Sequence, residues 1–144
     1  MQRILIIQTA FIGDVILATA VAEKLHQKYP KASIDFVVRK GNEGLLAHHP
    51  FIRNVIAWNK KKKKILHLFT ILQYIRKEKY DVAITIHRWA SSGLLAGFSG
   101  AKQRIGFKQN AMSFLFTKKI NHQIGNGTHE VERNQQLIEH LTDS

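Results

Sequence analysis

The feature that most constrains this 144-residue chain is a regular alternation of short apolar runs with longer stretches of helical rhythm. Residues 3–8 (RILIIQ) form a continuous apolar run bounded by a turn over 9–12, the pattern of a strand buried on both faces. Residues 14–29 then carry Val15, Leu17, Ala18, Val21, Ala22 and Leu25 at helical spacing, until Pro30 stops the helix. The alternation continues with a strand over 33–38 (SIDFVV), a short helix over 41–49 ended by Pro50, and a strand over 54–58 (NVIAW). An amphipathic helix follows over 65–79, marked by Ile65, Leu68, Phe69, Leu72 and Ile75, then a strand over 82–86 (VAITI) and a helix over 91–98 opening on a Ser pair. Residues 103–106 suit a fifth strand, whereas 111–119 fits neither pattern; its Phe114, Leu115 and Phe116 read as core or interface, and Trp58 as core. After the turn Gly125-Asn126-Gly127, a last helix opens at Thr128 or His129 and runs through 141. Such alternation implies βαβ units around a parallel sheet, an α/β, Rossmann-like fold with helices flanking the sheet, in one domain over 1–144.

Composition narrows the function. The chain has no Cys, which removes disulfides, thiolate metal sites and Cys nucleophiles. Its 44% hydrophobic content argues against disorder. No apolar run reaches the ~18–20 residues of a transmembrane helix, and Asp14 interrupts the N-terminal apolar stretch, so 1–20 reads as first strand and helix and not as a targeting segment. The balance of 22 Lys+Arg against 10 Asp+Glu gives +12, and it is unevenly placed. Residues 53–79 hold nine Lys/Arg and one acid, Glu78; residues 102–129 hold five bases and no acid. Such fields favour polyanions: nucleic acid, an anionic membrane surface or a phosphorylated substrate.

Neither G-x-x-x-x-G-K-[ST] nor G-x-G-x-x-G nor G-x-S-x-G is present, which argues against a P-loop ATPase, an ordinary nicotinamide enzyme such as a small reductase, and a nucleophile-elbow hydrolase. The first strand–helix turn instead carries Gly13-Asp14. Gly lets a ligand approach the backbone, and a carboxylate in a first helical turn is held ionised, at the sheet edge where open α/β folds bind ligands. Asp14 is thus either a general base or a helix-start carboxylate satisfying backbone N–H groups. His87-Arg88, after the fourth strand at the same edge, either hold an anion or form a solvated pair. His129 and Arg133 share a helix face and either grip an anion or belong to a capped helix start. Lys60, Lys61, Lys62, Lys63 and Lys64 are either a solvated loop or an electrostatic contact with an anionic substrate or membrane. The eight His are scattered, and no spacing completes a metal site.

Together these segments resemble the lipopolysaccharide heptosyltransferases, the family-nine glycosyltransferases. The resemblance runs through RILIIQTAFIGDVILATA at 3–20, Asp35-Phe36-Val37-Val38 with 41–46, and Tyr80-Asp81-Val82-Ala83-Ile84. It continues through Arg104-Ile105-Gly106-Phe107 and His129-Glu130-Val131-Glu132-Arg133-Asn134. It implies the N-terminal, acceptor-side half of a two-domain GT-B enzyme. The C-terminal domain, expected to bind the ADP-heptose donor, is absent from this chain, which alone is expected to be inactive. By the same resemblance Asp14 matches the catalytic base that deprotonates the acceptor hydroxyl for inverting transfer. Gly13 gives the acceptor room, and Lys60, Lys61, Lys62, Lys63, Lys64, His87, Arg88, His129 and Arg133 meet acidic groups of the lipopolysaccharide inner core. No cofactor or metal is implied. Gln8 departs from the Lys or Arg that relatives often carry at the end of the first strand, so no anion-gripping role passes to it. The expected setting is cytoplasmic, with peripheral contact at the inner membrane leaflet and an exposed apolar or basic face where the second domain docks. The rival reading is a basic nucleic-acid-binding domain without catalysis, marked by steep salt dependence and indifference to Asp14; nucleic acid is not the expected partner, because no binding motif is present.

Overall fold

The computed structural model describes residues 3–59, 63–86, 90–120 and 137–138. Its order is β1 (Arg3–Gln8), α1 (Ile12–Lys28), β2 (Ser33–Arg39), β3 (Ile52–Trp58), α2 (Lys64–Glu78), β4 (Val82–Thr85), α3 (Ala90–Gly97), β5 (Gln103–Phe107) and β6 (Lys118–Ile120). Two 3₁₀ turns, Glu43–Leu45 and Ser113–Leu115, lie in the connections before β3 and β6. The six strands form one sheet in the order β3-β2-β1-β4-β5-β6, every described pairing parallel. Chain direction across the sheet reverses between β1 and β4, which makes their carboxyl ends the switch point of an open α/β fold.

The apolar runs become the central strands because both faces of the sheet are covered. Ile4 and Ile6 turn toward α1, which meets them with Val15, Ala18, Val21, Ala22 and Leu25, while Leu17 stays partly exposed. Leu5 and Ile7 turn to the other face, under α2 and α3. Leu137 and Ile138, from the expected last helix, are buried in the α1-side core; the rest of that span lies outside the described residues. Trp58 and Phe116 are core, and Phe114 is exposed.

Four expectations change. The helix expected over 41–49 is only the 3₁₀ turn Glu43–Leu45, because Leu46 alone in this stretch is buried and no apolar stripe holds a longer helix. Strand β3 starts at Ile52 and carries an irregularity: Asp35 pairs with Asn54, leaving Arg53 extra. The unassigned 111–119 stretch ends in a sixth strand, whose two lysines are exposed and show none of the apolar run that marked the others. Helix α2 buries Leu68, Ile71 and Ile75, so Ile65 and Phe69, expected on its buried face, are turned about a quarter of a revolution away and exposed.

The amino edge of the sheet is closed by charge. Asp35 is fully buried; Arg53 donates to its two carboxylate oxygens at 3.1 and 2.6 Å, and the Asn54 N–H and Tyr80 hydroxyl complete its partners. The bulge at Arg53 lets both the guanidinium and the next N–H face one carboxylate. Burial, then the bond to Asp35, pushes the Tyr80 phenol well above its ordinary range, so it stays protonated and donates. Glu78 joins the cluster by pairing with Arg3 at 3.0 Å and with Arg53 at 3.5 Å, and accepts the Tyr74 hydroxyl.

Candidate functional site

The carboxyl edge is built differently. Strand β1 ends at Gln8, 2% exposed, whose Oε1 accepts the Ala10 N–H and so shapes the turn into α1. Thr9 in the same turn shares a hydrogen bond with Ser92 of α3 at 3.0 Å, fastening the connections that follow β1 and β4. Phe11 is the N-cap of α1, and Asp14 Oδ2 accepts its backbone N–H at 3.2 Å. This is the backbone half of a capping box, so the helix-start reading of Asp14 is observed. The carboxylate is partly exposed, and its Oδ1 has no hydrogen-bond partner among the described residues. Gly13 is exposed, and a Cβ built on it meets nothing within 4 Å, so no contact with a described residue demands glycine there.

Beside this turn lies a cleft of about 390 Å³ lined by Phe11, Ile12, Arg39, Lys40, Gly41 and Asn42. Its far wall is the turn after β2, where Gly41 takes φ +109°, a conformation L side chains rarely adopt. Asn42 Nδ2 reaches back to the Ala10 carbonyl at 3.3 Å, and the Arg39 guanidinium stands 5.7 Å from the Phe11 ring centroid. Lys40 also borders a second cleft, of about 530 Å³, between the end of β3 and the start of α2, with Asn59, Lys63, Leu66 and His67. The Asn59 N–H donates to His67 Nδ1 at 2.9 Å, so a neutral His67 carries its proton on Nε2. Lys64 packs its ammonium 5.9 Å from the Trp58 ring centroid, and its carbonyl accepts the Trp58 indole N–H. Among the described residues, the two acids at this edge, Asp14 and Glu43, each accept a backbone N–H, from Phe11 and Gly41. Neither pairs with a cation, so Arg39, Lys40, Lys63 and Lys64 enter no ion pair with a described residue.

The structure therefore brings together Gly13, Asp14, Lys63 and Lys64 of the expected set at one edge of the sheet. Lys60, Lys61, Lys62, His87, Arg88, His129 and Arg133 lie outside the described residues. Arg39, Lys40, Asn42, Asn59 and His67 were not anticipated from the sequence, although the rule that drew attention to Asp14, position just after a strand, applies equally to Arg39 and Lys40. No group of three or more His, Asp or Glu among the described residues can hold a metal, and no described helix is long and apolar enough to cross a membrane. Chemically, the edge offers a partly exposed carboxylate and, around two clefts, cations and hydrogen-bond donors, groups of the kind that can orient a polyhydroxylated anion and accept a proton from it.

An open parallel sheet with such a candidate site at its switch point is the arrangement in which α/β proteins bind ligands beyond the carboxyl ends of their strands. Glycosyltransferase family 9 (heptosyltransferase) matches residues 68–144, and the chain belongs to that family. It is 28% identical over 138 residues to lipopolysaccharide heptosyltransferase 3 of Escherichia coli K12, covering 90% of this chain and 39% of that protein. The fold matches the crystal structure of a family 9 glycosyltransferase from Veillonella parvula with a TM-score of 0.89 and 23% identity, over 99% of this chain and 42% of that one. E. coli heptosyltransferase WaaC with ADP-2-deoxy-2-fluoro heptose matches with a TM-score of 0.80 and 20% identity, over 96% of this chain and 48% of that one. The chain thus spans less than half the length of these proteins.

Proposed function

We propose that this chain is the N-terminal, acceptor-binding domain of a glycosyltransferase that moves heptose from ADP-heptose to the inner core of lipopolysaccharide. The donor would be held by a separate C-terminal domain facing the carboxyl edge. The observation that carries the reading is the partly exposed Asp14 carboxylate just after β1 at the switch point, on the same sheet edge as two clefts lined by cations that no described carboxylate answers. Membership of the family supports it independently.

In the proposed reaction an acceptor hydroxyl lies against Asp14 Oδ1. The carboxylate takes the hydroxyl proton as the oxygen attacks the anomeric carbon of the heptose. The bond from that carbon to the ADP oxygen breaks on the opposite side, ADP leaves with the bonding pair, and the configuration inverts. Gly13 leaves the approach clear on the solvent side. Arg39, Lys40 and Lys63 hold carboxylates or phosphates of the inner core, and Lys60, Lys61, Lys62, His87, Arg88, His129 and Arg133 are assigned the same acceptor-side role. The protein would work in the cytoplasm, against the inner membrane leaflet.

The test is Asp14→Asn in this chain joined to its donor domain. Turnover should fall by about 10²–10⁴-fold while donor affinity holds, because the base is lost and the donor site untouched. Turnover equal to wild type contradicts the assignment.

A further inference from the structure

Helix α2 carries two apolar faces, and the sheet uses one. Leu68, Ile71 and Ile75 are buried against the strands. Ile65 and Phe69, one turn apart, are 67% and 56% exposed. The stripe continues onto the residue just after α3: Arg76 Nη1 donates to the Phe98 carbonyl at 2.8 Å, bringing the backbone of the 43% exposed Phe98 alongside. Basic groups border this apolar surface, with Lys63 and Lys64 at its start and Arg76 and Lys77 at its end. No acid occurs in the sequence from Lys60 to Lys77, and the next, Glu78, is engaged by Arg3 and Arg53.

We propose that this outer face of α2, with Phe98, is a docking surface for an anionic lipid bilayer. Apolar side chains bordered by lysines on one helix face are the chemistry that inserts at the headgroup–acyl boundary while the ammonium groups meet lipid phosphates. Charge selects this occupant over a second copy of the chain, since pairing two such faces would set lysines against lysines in a chain of net charge +12. A donor domain has its own exposed apolar set at the carboxyl edge, Phe11, Ile12, Ile16 and Leu45. The docking surface rests on α2 and Phe98 and does not depend on the acceptor site. If the proposed function also holds, docking places the cleft of Lys63 and His67 next to the bilayer, where a lipid-anchored acceptor presents its sugars.

The test is co-sedimentation of the 144-residue chain with phosphatidylcholine vesicles with and without phosphatidylglycerol. The expected result is binding to the anionic vesicles only, weakened on the order of tenfold by Ile65→Ser with Phe69→Ser and by Lys63→Gln with Lys64→Gln. Because Ile65 and Phe69 are exposed, their variant should keep the wild-type circular dichroism and thermal unfolding. It should also keep the wild-type response to a soluble inner-core oligosaccharide, which separates failure of docking from failure of the acceptor site. Absence of vesicle binding, equal binding to neutral vesicles, or concentration-dependent dimers abolished by Phe69→Ser in place of vesicle binding would each overturn the proposal.

Discussion

The two edges of the sheet treat their charged side chains in opposite ways. At the amino edge Asp35, Arg53, Glu78 and Arg3 answer one another, with Tyr80 and Tyr74 filling remaining acceptor positions. At the carboxyl edge Asp14 and Glu43 are occupied by backbone N–H groups, and the cations around them pair with no described acid. Helix starts repeat the contrast. Helix α1 begins with an acid, which its dipole favours; α2 begins with Lys63 in a left-handed conformation (φ 47°) followed by Lys64, which its dipole disfavours. Where local preferences are satisfied the structure is holding itself together, and where they are violated without compensation among the described residues the edge is the candidate for a ligand.

The sharpest way to break this comparison is to disturb each edge and ask whether stability or binding responds. The largest effect belongs to Arg53→Met, which leaves the buried Asp35 carboxylate without its cation. Unfolding free energy should drop by about 2–3 kcal/mol, below the full cost of a buried pair because the Arg53 side chain is 35% exposed. A urea titration that finds wild-type stability would show that the amino edge does not hold the fold. Next, Arg39→Gln with Lys40→Gln should weaken an anionic inner-core oligosaccharide about tenfold, equivalent to about 1.4 kcal/mol, while leaving the thermal midpoint in place. Calorimetric titration checks the affinity, and a lowered midpoint with unchanged affinity would invert the division between the edges.

Tyr80→Phe sharpens the account of the amino edge through pH. Because the folded-state phenol titrates above its ordinary value of 10, its contribution to stability is complete below pH 10 and lost as pH rises beyond it. Wild type should therefore lose about 1.4 kcal/mol per pH unit more than the variant above pH 10. Parallel curves from denaturant titrations at several pH values would remove Tyr80 from the ionic cluster. The smallest effect is expected at Lys63→Gly, which relieves the left-handed backbone and should raise stability by about 0.5 kcal/mol while lowering oligosaccharide affinity. If both fell together, Lys63 would be a structural residue.

Much of the fold was readable before the structure. Strands β1, β2 and β4 are buried on both faces, so they read as short, largely apolar runs, interrupted in β2 by Asp35, and Pro30 marks the end of α1. Strand β6 was hidden because it is three residues long with two exposed lysines. The orientation of α2 was misread because Ile65 and Phe69 fit a helical rhythm as well as Leu68 and Ile75 do, and periodicity alone cannot say which of two apolar stripes meets the sheet. At the site, Gly13 and Asp14 were legible from their place after β1. Arg39 and Lys40 were not, because cations after a strand look the same whether solvated or framing a cleft until β2 is seen beside β1. Asp35 and Tyr80, both within the segments that resemble the family, turn out to meet each other at the amino edge and hold the fold.

The central claim is that ligand binding belongs to the carboxyl edge alone. An amide-shift titration of the labelled chain with delipidated inner-core oligosaccharide, with ADP in parallel, tests it most directly. The account predicts shifts with the sugar at Gly13, Asp14, Arg39 to Asn42 and Lys63, silence at Arg3, Asp35, Arg53 and Glu78, and no response to ADP. Shifts centred on the amino edge, or none with the sugar at saturating concentration, would contradict it.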